Sequence, residues 1–594
     1  MQHKLWKVLQ KAGLKTRKVT TTVVSIVGVS TIGALGMTLE ARAQETRDKQ
    51  SGKEDDRPNI VLLIADDMGY SDVEAFGGEV STPNVSALAE QGIQFTNYHV
   101  GPSCSPTRSM LLTGLDNHLA GLGQMLENLA PNQVGRPGYE GIINDRALTI
   151  PQLLQDNGYH TYMVGKWHLG GAEENEETGG YIGKPPSEQG FSRSFALLEG
   201  GGDHYSNRGF SPIRPVNHFS DDGRRTTTLP PEFEYSTDFY TDKMIEYIES
   251  NREDGQPFYA YMAFTAPHTP LQVPDRDLID KYEEIYSQGW DVVRAQRFER
   301  MKEMGLIPAD SEYPERFEEA PAWESLTPQR QAREARRMAV YAAMIEYLDG
   351  AIGRFMDYMK ETGEYDNTIF VFMSDNGADG HDRARQQIYK DWFLKEGIDN
   401  SLENLGMPNS FASRGIEWAQ VSGTPFWAEK ATTAEGGTSA PLILYYPGMI
   451  EGGEMTDVFA TVKDLSPTLL DYVGVEHPGT SYKGREIHAL SGRSMRPFLE
   501  GETDVVYGPD EPVAIELGGT INDSLFMGDW KIVRIGEEEW GDGEWRLYNM
   551  REDRSEMYDR STDPEQHDRF VQMRAAYEEF LIDVNWVPAR RPKK

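Results

Sequence analysis

An intramolecular disulfide is excluded by this sequence, because its 594 residues contain only one cysteine, Cys104. A single cysteine has no intramolecular partner, so its presence needs another explanation. The sequence also lacks the Cys and His spacing of a zinc site. It shows no internal repeat and no long low-complexity tract, which argues against a repeat architecture.

Basic residues are also scarce relative to acidic ones. Lys and Arg number 59 against 95 Asp and Glu, which gives a formal net charge of −36. Nucleic-acid binding needs a basic surface, so we expect no nucleic-acid partner. The net charge also does not steer an anionic substrate from a distance. Any anion site must therefore be a local basic pocket within an acidic surface.

The N-terminus has the pattern of an export signal. Six basic residues between positions 4 and 18 precede an apolar and small-residue stretch, 19–39, and then Ala41-Arg42-Ala43. This order predicts a signal peptide over 1–43 with cleavage after Ala43. A retained membrane anchor is the alternative. The polar residues 44–57 are predicted to form a disordered linker. No later segment is apolar enough to span a bilayer. We therefore expect a periplasmic or secreted protein.

Four apolar runs of strand length each end in polar residues. The runs are 59–65, 160–164, 257–265 and 368–373, and they are followed by Asp66-Asp67, Lys166 with His168, His268, and Asp375-Asn376. Continuous apolar runs are typical of strands buried on both faces of a parallel sheet. A helical pattern over 333–360 lies between two of them. Ligands bind at the carboxyl ends of strands in such sheets, so we expect these polar residues to share one site.

The alternation of strands and helices predicts an α/β fold. We expect a large mixed, mostly parallel sheet flanked by helices over 58–504. Short alternating strands after residue 505, followed by a helical segment at 571–584, predict a smaller C-terminal α+β domain over 505–594, with an antiparallel sheet plus a helix.

Cys104 opens the pentapeptide Cys104-Ser105-Pro106-Thr107-Arg108. Pro106 suits a first helical turn, and 107–115 reads as a short helix, so Cys104 is expected just before a helix N-terminus. Free N–H groups and the helix dipole favour negative charge there, and Arg108 adds a cation one turn away.

This Cys-x-Pro-x-Arg signature resembles that of the formylglycine-dependent sulfatases of the alkaline-phosphatase superfamily. The resemblance extends from about Arg57 to the end of the chain and is closest to bacterial periplasmic arylsulfatases. It implies that an export-coupled formylglycine-generating enzyme oxidises Cys104 to Cα-formylglycine. The aldehyde hydrates, and one hydroxyl of the hydrate attacks the sulfur of a sulfate ester.

The resemblance also assigns a metal site. Three carboxylates and an amide form a hard oxygen-donor set, which suits Ca²⁺ or Mg²⁺. The implied ligands are Asp66, Asp67, Asp375, Asn376 and the modified Cys104, with calcium the usual ion in bacterial members.

The remaining polar residues receive roles in binding and proton transfer by the same resemblance. Arg108 and Lys166 hold the aldehyde hydrate, and Lys166, His268 and Lys430 bind the sulfated substrate. His168 accepts the proton whose loss releases sulfate, and His268 donates a proton to the leaving oxygen. Lys430 precedes Glu435-Gly436-Gly437, as in the family. Many relatives have an Arg soon after the double glycine, where this chain has 438–441 Thr-Ser-Ala-Pro.

These motifs predict hydrolysis of aryl or related sulfate monoesters to inorganic sulfate and an alcohol or phenol. One alternative is a phosphonate or phosphate ester hydrolase of the same superfamily. Another is a catalytically silent calcium-binding exported protein. The sequence does not identify the natural ester or the oligomeric state.

Overall fold

The computed structural model describes residues 56–175, 180–317, 320–450, 452–537 and 540–590. The predicted signal peptide and most of the predicted linker therefore lie outside the described residues. Within the described ranges, no helix is both long and apolar enough to cross a bilayer.

A ten-stranded mixed sheet forms the centre of the molecule. Its strands, labelled β1 to β10 in chain order, are Asn59–Ala65, Ile93–Phe95, His160–Lys166, Arg193–Leu197, Phe219–Asp221, Arg224–Thr226, Phe258–Ala263, Thr368–Ser374, Leu442–Tyr445 and Glu454–Thr456. Across the sheet the order is β6-β5-β4-β3-β7-β1-β8-β9-β2-β10. The five consecutive strands β4-β3-β7-β1-β8 run parallel to one another. Beyond them, β5 pairs antiparallel with β4 and β6, and β9 pairs antiparallel with β8.

Both faces of the sheet are buried. In β1, Val61 and Leu63 belong to one apolar cluster, whereas Ile60, Leu62 and Ile64 belong to the cluster on the opposite face. This alternation follows from the two-residue period of a strand, and it explains why the run is apolar at every position.

Helices cover the two faces. Those of seven or more described residues are Pro83–Gln91, Cys104–Thr113, Ile150–Asp156, Ser236–Glu249, Arg276–Tyr286, Trp290–Met304, Pro328–Thr362, Gln387–Glu396, Ile416–Ser422, Val462–Tyr472 and His567–Asp583. The longest begins after Thr327, whose side chain accepts from Arg330 N, and ends at Gly363 with φ +79°. A hydroxyl N-cap and a left-handed glycine are the ordinary boundary signals of a helix.

A four-stranded antiparallel sheet lies near the C-terminus. Its strands, β11 to β14, are Pro512–Glu516, Asn522–Met527, Trp530–Ile535 and Arg546–Asn549. The His567–Asp583 helix packs on it through Met573 and Tyr577. The predicted fold class is thus confirmed. The boundary between residues 504 and 505 stays a prediction.

The described residues also form four short two-stranded ladders. They join Tyr98–His99 to Ala460–Thr461, Glu174–Asn175 to Gly180–Tyr181, Arg208–Ser211 to Arg214–Val216, and Ser481–Tyr482 to Arg485–Glu486.

His118 joins the part of the chain that carries the large sheet to the C-terminal sheet. Its Nδ1 lies 3.0 Å from Asp116 Oδ1, and its Nε2 lies 2.9 Å from Oε2 of Glu516 at the end of β11. Burial alone would lower the pKa of His118, but hydrogen bonds and charge from the two carboxylates outweigh burial and raise it to about 10. The folded state therefore favours the protonated, positively charged form of His118.

We predict that His118→Gln destabilises the fold in a pH-dependent manner. The imidazolium stabilises fully below the ordinary His pKa of about 6.5, and this stabilisation is lost as the pH rises toward 10. At pH 6 we expect a loss of about 3–5 kcal/mol, as for a broken buried ion pair, and a smaller loss at pH 9.5. Urea unfolding of the native and variant proteins at both pH values measures this difference in the free energy of unfolding.

His160→Gln is the matched control, because His160 pairs with Asp254 at 2.8 Å in a partly exposed position. Surface pairs contribute about 0–1 kcal/mol, so the control should change little. An equal loss for His118→Gln at pH 6 and pH 9.5 would contradict the assigned charge.

Candidate active site

The carboxyl ends of β1 and β8 bring three aspartates together. Ala65 and Ser374 are paired in register, and Asp375 N donates to Ala65 O at 3.2 Å. Asp67 turns the chain away from the strand with φ +63°, a conformation that Asp tolerates better than most residues. Asp66, Asp67 and Asp375 are all buried.

Each buried aspartate is matched by a buried cation. Lys166 Nζ lies 2.7 Å from Asp66 Oδ2, Arg108 Nη2 lies 2.7 Å from Asp375 Oδ2, and Lys430 Nζ lies 2.6 Å from Asp67 Oδ1. Because unpaired buried charges are very costly, these pairs are a condition for the site to exist inside the fold.

The nearby cations offset the effect of burial to different extents at Asp67 and Asp375. Burial by itself raises the pKa of Asp67, but the ammonium of Lys430 outweighs it and holds the pKa well below its usual range. At Asp375, burial prevails over the neighbouring Arg108, and the pKa is raised. The charge of Asp375 is therefore less fully compensated, which favours an additional cation nearby.

The same residues can hold a metal ion. One ligand atom from each of Asp66, Asp67, Cys104 and Asp375 lies within 4.8 Å of the others. Asp67 Oδ2 and Asn376 Oδ1 are buried, and neither has a hydrogen-bond partner among the described residues. Asn376 Nδ2 donates to Asp67 Oδ1 at 2.7 Å, which leaves its oxygen free to coordinate. This oxygen-rich set fits a hard divalent cation.

Cys104 lies against the aspartates. Its Sγ is 3.7 Å from Asp66 Oδ1 and 3.8 Å from Asp67 Oδ1. The sequence predicted that the helix begins at Thr107, but it begins at Cys104 itself. Burial raises the pKa of the Cys104 thiol despite Lys166 and Lys430 nearby. At the unmodified thiol, burial therefore outweighs the positive groups that favour negative charge at this position.

Two histidines follow neighbouring strands, His168 after β3 and His268 after β7. The extended conformation of β3 ends at Lys166, and the chain turns at His168 with φ +56°. His268 Nε2 lies 3.5 Å from Asp67 Oδ2, and its Nδ1 faces the Thr269 carbonyl. Burial lowers the pKa of His268 to about 3 although Asp67 acts in the opposite direction, so the ring is neutral near pH 7.

Gly200 and Gly201 allow both imidazoles to pack closely. A Cβ at Gly200 would lie 2.7 Å from His168 Cε1, and one at Gly201 would lie 2.6 Å from His268 Cε1. Both distances are shorter than a van der Waals contact. Glycine is therefore required at these positions unless the histidines move.

A tightly packed loop carries Lys430. Its N–H donates to Ala378 O at 3.0 Å, just beyond Asp375 and Asn376. A Cβ at Gly436 would lie 2.3 Å from Ala428 O, and one at Gly437 would lie 2.1 Å from Thr432 O. The double glycine thus provides close backbone approach and not merely a turn.

The C-terminal sheet also holds this loop. Asn522 in β12 accepts from Thr433 N at 2.7 Å and donates to the Ala431 carbonyl. Lys531 in β13 lies 2.8 Å from the buried carboxylate of Glu435, which begins the Glu-Gly-Gly sequence. These contacts connect residues after position 505 to the position of Lys430.

Nine of the ten site residues predicted from the sequence are connected by the contacts above, whereas His168 is linked to them through its carbonyl, which accepts from Ser105 Oγ at 2.8 Å. Sequence reasoning missed several others that surround them: Glu127, Gly200, Gly201, Asp379 and Arg383. Glu127 pairs with His168, and Asp379 accepts from Arg383. The run of three glycines at 200–202 was a local signal. Glu127 had none, because one acidic residue among 95 is not distinctive.

Comparison with known proteins agrees with this geometry. The Sulfatase family model matches residues 58–475. An uncharacterized sulfatase of Schizosaccharomyces pombe is 40% identical over 525 residues, covering 85% of this chain and 90% of the relative. An arylsulfatase of Klebsiella aerogenes is 38% identical over 447 residues, covering 74% of this chain and 91% of the relative.

A solved structure shows the same fold. The sulfatase PsFucS1 from Pseudoalteromonas sp. aligns with a TM-score of 0.58 at 19% identity, covering 93% of this chain and 96% of that one. The family match spans most of the chain and includes the strands that carry the buried charges. The chain therefore belongs to the sulfatase family and is a sulfuric ester hydrolase.

Proposed function

We propose that this protein hydrolyses aryl or related sulfate monoesters through a formylglycine hydrate at position 104 beside a divalent cation. The observation that carries the proposal is the convergence of Cys104, three carboxylates and three cations at one edge of the sheet. A sulfate ester is an anion, and its bridging oxygen gains charge as the S–O bond breaks. Buried cations stabilise that charge because little water competes with them.

The modification accounts for an otherwise unsuitable nucleophile. The buried Cys104 thiol has a raised pKa and lies beside two carboxylates, so it is a poor source of thiolate. A formylglycine hydrate at this position would supply one hydroxyl as the nucleophile and a second whose proton must be removed to release sulfate. Arg108 and Lys166 would hold this group; both are buried and pair with aspartates of the same cluster.

Asp66, Asp67, Asp375 and Asn376 would hold the cation. A bound Ca²⁺, or Mg²⁺ in its place, would polarise the sulfate and lower the pKa of the attacking hydroxyl.

His268, Lys430 and His168 would complete the reaction. Lys430 and His268 would bind the sulfate, and His268 would donate a proton from Nε2 to the leaving oxygen. Because Nδ1 faces the Thr269 carbonyl and so already carries a hydrogen, this donation needs a second proton. A bound sulfate anion would favour that protonation. His168 would accept the proton whose loss releases sulfate.

Maturation at Cys104 would take place during export. We propose that the signal over 1–43 directs the chain to the periplasm or outside the cell, with no membrane span left after cleavage. A formylglycine-generating enzyme would oxidise Cys104 on this route. The small sulfated ester would then be the main partner of the mature protein.

We predict that Cys104→Ala abolishes sulfate ester hydrolysis. Because the substitution removes the nucleophile, we expect kcat/KM for an aryl sulfate to fall by about 10³-fold or more. Matched aryl phosphate and phosphonate esters, assayed with the native protein, test the alternative reaction class. Peptide mass spectrometry across Cys104 in protein from its native host should reveal an aldehyde in place of the thiol.

Full activity of Cys104→Ala, or an unmodified thiol in fully active protein, would contradict the mechanism. A higher kcat/KM for the phosphonate ester would instead assign the protein to the other reaction class.

We predict that removing divalent metal inactivates the enzyme and destabilises it. A ligand at 100 times its Kd stabilises the folded state by about 2.7 kcal/mol, so chelation should lower Tm and Ca²⁺ should restore it. Elemental analysis, Tm and activity should change together. Asp67→Asn should abolish the Ca²⁺-dependent rise in Tm, whereas Asp254→Asn on the surface should preserve it. A metal-free protein with full activity would contradict the proposed cation.

A further inference from the structure

We infer that Glu127 is a positioning residue that fixes the tautomer of His168 and thereby presents Nδ1 of that ring as the proton acceptor in sulfate release. The inference rests on the proposed function, because it adds a partner to the role proposed for His168.

The geometry of the pair is well defined. Glu127 lies in a short turn, Leu126–Asn128, and its Oε1 is 2.9 Å from His168 Nε2. The His168 side chain is 10% exposed and that of Glu127 is 27% exposed. A contact of this length and burial limits the orientation of the ring more than an exposed pair would.

The ionisation of Glu127 decides which nitrogen carries the hydrogen. Burial alone would raise the pKa of Glu127, but His168 outweighs it and holds the pKa at about 2. A carboxylate can only accept a hydrogen bond, so the Nε2 that faces it must donate. In the neutral ring, Nδ1 then has the free lone pair.

The other ring nitrogen of His168 is available to accept a proton. His168 Nδ1 is buried and has no hydrogen-bond partner among the described residues. Ser105 Oγ, in the first turn of the helix that begins at Cys104, donates to the His168 carbonyl at 2.8 Å. The ring also packs against Gly200, which leaves it little freedom to turn. A buried nitrogen without a partner, on a residue whose carbonyl contacts the first turn of the Cys104 helix, is what a proton acceptor for the second hydroxyl requires.

The step at which His168 acts determines which kinetic constant should change when its orientation is lost. His168 would act after the alcohol has left, when the second hydroxyl gives its proton to Nδ1 and its electron pair forms the carbonyl. The carbon–oxygen bond to sulfate then breaks, and its electron pair leaves with the sulfate. Losing the orientation of His168 should therefore slow sulfate release and not alcohol release.

The kinetic test compares Glu127→Gln with the native enzyme on an aryl sulfate. We expect kcat to fall by about 10- to 100-fold, as for other residues that orient a functional imidazole. KM should fall in proportion, so kcat/KM for phenol release stays within about twofold, and a burst of about one phenol per site should precede the steady state. Glu127→Asp should recover part of kcat.

A double-substitution cycle tests whether Glu127 acts through His168. His168→Gln and the combination His168→Gln with Glu127→Gln should have the same kcat, because the acceptor is already absent. Asp254→Asn is the matched control, since it breaks a carboxylate–imidazole pair of 2.8 Å at the opposite end of β3. It should leave both kcat and KM unchanged.

A spectroscopic measurement separates this inference from the proposed function. Long-range ¹H–¹⁵N correlation on histidine-labelled protein, with His168 assigned from His168→Gln, should show the Nε2–H tautomer in the native protein and a mixed or Nδ1–H state in Glu127→Gln. This readout does not depend on the modification of Cys104. An unchanged tautomer, an unchanged kcat or fully additive substitutions would overturn the role of Glu127. Native protein with no sulfatase activity would instead reject the proposed function.

Discussion

The balance of charge buried at the carboxyl edge of the sheet is the constraint on which the site depends. Three aspartates and three long cations lie out of contact with bulk water, and each group would be prohibitively costly there alone. The pairs between Lys166 and Asp66, Arg108 and Asp375, and Lys430 and Asp67 remove most of that cost. The raised pKa of Asp375 marks where compensation is incomplete. The same arrangement explains how so acidic a protein can present a local binding site for an anionic ester.

Rigid backbone contacts maintain this balance. Gly436 and Gly437 allow the loop that carries Lys430 to lie directly against neighbouring backbone, and Asn522 from the C-terminal sheet holds the loop from the other side. The small sheet therefore has a consequence for the site, although none of its side chains belongs to the proposed catalytic set. Gly200 and Gly201 do the equivalent for the two histidines, where any larger residue would displace a ring.

Most of the predicted elements are present, with boundaries that shift for physical reasons. The run at 59–65 is a strand over the predicted residues, and the helix predicted at 333–360 extends to 328–362 because Thr327 and Gly363 supply its caps. The helix near Cys104 begins three residues earlier than predicted. The pentapeptide and the polar residues after four strands pointed to the same site that the fold assembles.

What the sequence determined by itself was the set of strands, their buried character and the polar residues at their ends, because these follow from local periodicity and short motifs. Only the tertiary structure decided which cation pairs with which carboxylate, that burial raises the pKa of Cys104, and that Glu127 contacts His168. These features depend on residues far apart in the chain, as with Lys430 and Asp67, and on the removal of water from around them. Desolvation and long-range pairing are properties of the folded arrangement, so local sequence patterns do not predict them.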